Sequence, residues 1–157
     1  MNRILIYLSI FAFLQFSFSA SAATPAEKIM LEYENAQGVS FVEAKGMSMK
    51  IARVMIRKTP AAPVADKITE VSVLKLDNAD AKIKSDFHKS LEATLKQYTY
   101  VGKSNAANDD VVDVYISQPV NDLVGEMVIF NSERFVLNSL RGQIPISLLL
   151  SMQKQIL

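Results

Sequence analysis

The chain has 157 residues, of which 50% are apolar and 21% charged, with 17 basic and 16 acidic side chains, one histidine and no cysteine. This is ordinary globular composition, with length enough for one modest hydrophobic core. The absence of cysteine excludes disulfides, thiolate metal sites and a thiol nucleophile.

The first stretch reads as a secretory leader. Arg3 supplies the positive start, residues 4–18 are the apolar stretch, and Ser19, Ala20, Ser21, Ala22 and Ala23 offer small side chains to a signal peptidase. The apolar stretch is shorter than the roughly 20 residues that a spanning helix needs. Gln15, Ser17 and Ser19 also interrupt its end. A leader over residues 1–22 and a single domain over 23–157 are expected, with cleavage after Ala22 or Ala23. The mature chain is then periplasmic or secreted, with no stable membrane span. Loss of Arg3 from the 17 basic residues leaves 16 against 16 acids. Zero net charge leaves no electrostatic reason to seek nucleic acid or an anionic membrane.

Thr24, Pro25 and Glu27 form the pattern of a capping box with proline in the first helical turn. The helix they open is expected to reach Gln37, where Gly38 permits a left-handed exit. Residues 39–44 read as a short strand ended by Gly46. Ser48 is placed to cap a second helix over residues 49–58, with Ile51, Ala52, Met55 and Ile56 inward and Lys50, Arg53 and Arg57 in water. Pro60 and Pro63 make residues 59–66 an exposed connection. Residues 68–76 are apolar on both alternations, as in a central strand covered on both faces.

Asp80 or Asn78 then caps the longest helix, residues 80–97. Ile83, Phe87, Leu91 and Leu95 form its apolar stripe, opposite Lys82, Asp86, Lys89 and Lys96. Four strands are expected next, over residues 98–103, 111–118, 123–130 and 135–141, with Gly102 ending the first and Gly125 marking a bulge. Gly142 and Pro145 punctuate the exit into a last helix over residues 145–156. The order is α-β-α-β-α-β-β-β-β-α. It predicts an α+β fold, a mostly antiparallel sheet with helices packed on one or both of its faces, a two-layer sandwich being the leading arrangement.

Chemistry is sparse. His88 lies beside Lys89 on the long helix, and no G-x-S-x-G elbow surrounds any serine. Asn105, Asn108, Asp109, Asp110 and Asp113 form the densest oxygen-ligand cluster, yet they lack EF-hand spacing, the central glycine and the terminal glutamate. Glu43, Glu70 and Glu126 lie on strands and are read as surface-facing, although a carboxylate pair across a cleft is the glycosidase requirement. Met47, Met49 and Met55 are a methionine cluster that suits packing better than a soft metal. Lys50, Arg53, Arg57 and Lys58 line one side of the second helix, as a solvated face or a patch for an acidic partner. No catalytic, cofactor-binding or metal-ligating residue is assigned, and no cofactor is implied.

Residues 33–152 resemble a bacterial family catalogued as domain of unknown function 4252. The resemblance rests on Gly38 and Val39 before a short strand and the helix from Met47 to Ile56. It also rests on the strand at 68–76 with the helix reaching Tyr98, Thr99 and Tyr100, and on the tail with Gly142, Ile144 and a leucine-rich helix. It implies a small exported envelope protein and no activity, and the lipidation cysteine of some members is missing here. The expected function is a non-enzymatic binding or interaction module of the cell envelope whose partner is an envelope protein. The alternatives are a carrier that holds a small apolar ligand near Tyr98, Tyr100 and Tyr115, and a hydrolase using scattered acids.

Overall fold

The computed structural model describes residues 22–58, 61–105 and 110–154. Residues 1–21, nearly all of the expected leader, lie outside them. The elements follow the expected order: α1 (Pro25–Tyr33), β1 (Ser40–Lys45), α2 (Ser48–Ile56), a 3-10 helix (Ala62–Lys67), β2 (Ile68–Lys75), α3 (Ala81–Leu95), β3 (Thr99–Asn105), β4 (Val111–Ile116), β5 (Leu123–Asn131), β6 (Val136–Pro145) and α4 (Ile146–Lys154).

All six strands form one sheet in the order β1-β2-β6-β5-β4-β3, every neighbouring pair antiparallel. The last strand in the chain is inserted between β2 and β5. Of the connections, β3–β4, β4–β5 and β5–β6 join neighbours directly. The α3 crossover carries the chain from β2 to the far edge.

The fold is α+β with helices on the sheet, and they cover both faces, so three layers replace the leading two-layer arrangement. On the first face α1 and α3 bury Ile29, Met30, Phe87 and Leu91 against Leu74, Val128, Phe130 and Leu137. Phe87 meets Tyr33 edge-on at 5.3 Å and lies 6.3 Å from Phe130, the offset geometry that aromatic quadrupoles prefer. On the second face Met49, Val64, Ile68, Met127, Leu140 and Ile144 form a separate cluster under α2, the 3-10 helix and α4. Strand alternation makes both possible, since Val128 and Phe130 point one way and Met127 and Ile129 the other.

Two of the three anticipated caps form. Thr24 and Glu27 complete the box at the head of α1, and the Asp80 carboxylate accepts from the Ile83 amide at 2.8 Å at the head of α3. Helix α1 stops at Tyr33, before Gln37, and Gly38 then turns the chain with φ +77°.

Four further boundaries differ from expectation. Ser48 does not cap α2; its hydroxyl bonds back to the amide and carbonyl of Lys45 at 2.9 Å, closing the β1–α2 turn. Within the proline segment, Ala62–Lys67 is helical, with Val64 and Ala65 fully buried; residues 59–60 lie outside the described set. Gly102 sits inside β3, beyond a register shift that follows Tyr100. Gly142 sits inside β6, opposite Ile68, and the strand runs on to Pro145.

Gly142 is inside the strand because a β-carbon there would overlap the backbone carbonyl of Lys67, where the 3-10 helix delivers β2. Gly125 also lies at a register shift, between Val124 and Glu126, but its β-carbon would meet only the Ser117 hydroxyl at 3.7 Å. Gly142→Ala is therefore predicted to destabilise the chain by about 2–3 kcal/mol through overpacking, and Gly125→Ala by about 1 kcal/mol at most. Urea midpoints of the two variants check this; equal midpoints would contradict it.

Candidate functional site

Two features stand out from the core. The first is a polar row across the first face. Lys45, Glu70, Arg141 and Glu126 are successive cross-strand partners on β1, β2, β6 and β5. Cross-strand partners share a face, so the row alternates plus, minus, plus, minus over four strands.

The head of α1 closes over this row. Arg141 Nη1 donates to both oxygens of Glu27, at 2.9 and 3.0 Å, and to Glu70 at 2.9 Å. Burial pulls the Arg141 guanidinium down, and the Glu27 hydrogen bond with the charges of Glu27, Glu70 and Glu126 outweighs it, so its pKa is raised. Glu126 is only 2% exposed, a position that a carboxyl group occupies only with partners. It has three hydroxyl donors: Thr24 at 2.8 Å, Tyr98 at 2.6 Å, and Ser139. The Tyr98 hydroxyl in turn accepts from the Ala26 amide at 3.1 Å, in the first turn of α1. Leaving one such buried group unpaired costs about 1–3 kcal/mol.

The expectation that Glu43, Glu70 and Glu126 face the surface fails for Glu126. Its partners lie 102, 28 and 13 residues away in sequence, so no local pattern announced them. Glu43 pairs with Lys45 at 2.8 Å and stands three strand positions from Glu126. At about 4.8 Å per strand that is roughly 14 Å, beyond the separations that retaining or inverting glycosidases use. Between Glu70 and Glu126 stands Arg141. The oxygen contacts of Glu70 and Glu126 go to Arg141, Ser139, Thr24 and Tyr98, all within the fold. The row is a clamp that fixes α1 to the sheet.

The remaining sequence candidates do not converge. His88 Nε2 meets Glu92 at 3.2 Å; its ring lies 6.1 Å from Phe130, and its Nδ1 has no hydrogen-bond partner. Asp110 pairs with Arg134 at 2.9 Å, and Asp113 accepts from Tyr100 at 3.0 Å. Asn108 and Asp109 of the oxygen-ligand cluster lie outside the described residues. Among the described residues no group of three or more His, Asp or Glu side chains could hold a metal ion. Tyr100 and Tyr115 pack with tilted rings, 5.1 Å between centroids, while Tyr98 is engaged by Glu126.

The second feature is α2. It is turned about its axis relative to expectation. Met49 is fully buried, and Ala52 and Ile56 pack beside it. Arg53 reaches inward, its Nε and Nη2 donating to the Ile68 carbonyl at 3.3 and 3.0 Å. Ile51 and Met55, expected in the core, are each 67% exposed, with Met47 at 78% and Val54 at 53%. The three methionines of the sequence cluster thus divide between the two sides. At about 100° per residue, 47, 51, 54 and 55 make a second apolar stripe facing outward. Lys50 and Arg57 flank it, and Lys58 follows at its end. Contiguous exposed apolar surface of this kind marks interaction sites.

Comparison of the chain with protein-family models, curated proteins and solved structures found no match. Among the described residues no helix is long and apolar enough to cross a membrane.

The clamp carries a pH dependence. Burial, then the Glu126 hydrogen bond and charge, raise the Tyr98 phenol well above its ordinary 10.0. A raised folded pKa means stability that is complete below the unfolded value and is lost as pH climbs toward the folded one. Chemical denaturation at about pH 9 and about pH 11 is predicted to show a smaller alkaline loss for Tyr98→Phe than for the parent chain. Parallel losses would contradict this assignment.

Proposed function

We infer that the chain is an exported, non-enzymatic interaction module of the bacterial cell envelope that works through the outer side of α2. The observation that carries this reading is the exposure of Met47, Ile51, Val54 and Met55 on one helix side, while the acids with the composition of a hydrolytic site are engaged inside the fold. Four apolar side chains held in water on adjacent turns add nothing to the stability of the isolated domain. Their use lies in covering by something else.

Export is supported by the leader pattern of Arg3, residues 4–18 and the small residues up to Ala23. The polar contacts of the described residues begin at Thr24, so the expected cleavage leaves the α1 clamp whole. The resemblance to exported proteins of the domain of unknown function 4252 family points the same way. The carrier alternative loses one of its expected ligand donors, because Tyr98 already serves Glu126 and Ala26.

The chain has no cysteine, so a single Met55→Cys change gives a unique reporter on this surface, and Lys89→Cys on exposed α3 gives a control. The thiol at position 55 is predicted to react about tenfold or more slowly with a membrane-impermeant maleimide in the native envelope fraction than in the purified chain. The control should react equally in both. Equal reactivity at position 55 in the two preparations would refute the surface.

A further inference from the structure

We propose that the outer side of α2 docks on an anionic lipid bilayer. This rests on the interaction surface above and names its partner. Overall neutrality of the mature chain hides a local segregation of charge. Residues 46–65 contain Lys50, Arg53, Arg57 and Lys58 and no acid. Arg53 donates inward to the Ile68 carbonyl and Arg57 is paired with the bordering Asp66 at 2.6 Å, so Lys50 and Lys58 are the cations of this stretch left to the surface, and the bordering Glu43 is held by Lys45 at 2.8 Å. Lys50 and Lys58 are exposed beside the apolar stripe. The expectation that charge gives no attraction to an anionic membrane holds for the sum and not for this helix.

The shape of the surface favours a bilayer over a folded protein. Met47, Ile51 and Met55 protrude from the helix, each at least two-thirds exposed. A projecting apolar stripe beside cations is the arrangement of a helix that lies in the headgroup region. Unbranched methionines adapt to the irregular packing there. The helix has nine residues, about 14 Å of length, which is enough to lie in the interface and too little to cross it. The inner stripe of Met49, Ala52 and Ile56 stays on the sheet, so docking needs no unfolding of the domain. Apolar insertion and headgroup attraction act together, since either signal alone holds a protein weakly.

The test is sedimentation of the mature chain with vesicles of equal parts phosphatidylglycerol and phosphatidylcholine, and with vesicles of phosphatidylcholine alone. Binding to the first and not the second is expected, weakening with added salt. Lys50→Ala and Lys58→Ala should each lower the partition coefficient about fivefold, and Ile51→Asp should lower it about tenfold or more. These positions face away from the core, so thermal unfolding of each variant should match the parent. No binding to anionic vesicles, or binding indifferent to vesicle charge or to Ile51→Asp, overturns the proposal. If position 55 is nonetheless shielded in the envelope fraction while vesicles do not bind, the lipid assignment falls and the interaction surface stands with another partner.

Discussion

The fold depends on one strand arriving last. Strand β6 is hydrogen-bonded to β2 on one side and β5 on the other. Without it the chain holds a β1–β2 pair and a β5–β4–β3 sheet with no ladder between them. The β2–β6 pairing joins residues about 70 positions apart, as Glu70 and Arg141 illustrate, and closing so long a loop has an entropic cost that only the finished sheet offsets. The same strand brings Ser139 and Arg141 to the first face, where they meet Glu126, Glu27 and Glu70. The placement of β6 thus completes both the sheet and the clamp that seats α1.

The two faces are built to different standards. The first is closed by α1 and the fifteen-residue α3, with Phe87, Met30 and Leu91 filling the space over the sheet. The second is closed by α2, the 3-10 helix and α4, all short. Helix α2 has no side-chain N-cap bond and nine residues, too few to hold as an isolated helix in water. It keeps its form because Met49, Ala52 and Ile56 are docked. A helix held by one side and apolar on the other is a weak structural element and a good contact element.

Much of the architecture was legible because several levels agreed. The Thr24–Glu27 box, a cap at Asp80 or Asn78, the stripe from Ile83 to Leu95 and the β-rich composition of the strands all pointed to the same elements. The orientation of α2 had two readings. Its apolar residues at 47, 49, 51, 52, 54, 55 and 56 supply a helical stripe on either side, and packing on β1 and β2 chose the one containing Met49. Gly102 and Gly142 read as strand ends, whereas each lies within a strand at an irregularity or a close approach. The burial of Glu126 was illegible for a different reason. A carboxylate on an alternating strand is a surface residue unless its partners are known, and Thr24, Tyr98 and Ser139 come to it only through strand order. That order also makes the Lys45–Glu70–Arg141–Glu126 row, which no spacing in the chain encodes.

The central claim is that α2 is the side of the molecule that meets its surroundings. Hydrogen–deuterium exchange of residues 23–157, alone and with bacterial envelope membranes, tests it most directly. The account predicts that amides of α2 exchange readily in the free chain and slow when membranes are added, while those of α3 do not change. Protection that falls on α3, with α2 unchanged, would contradict it.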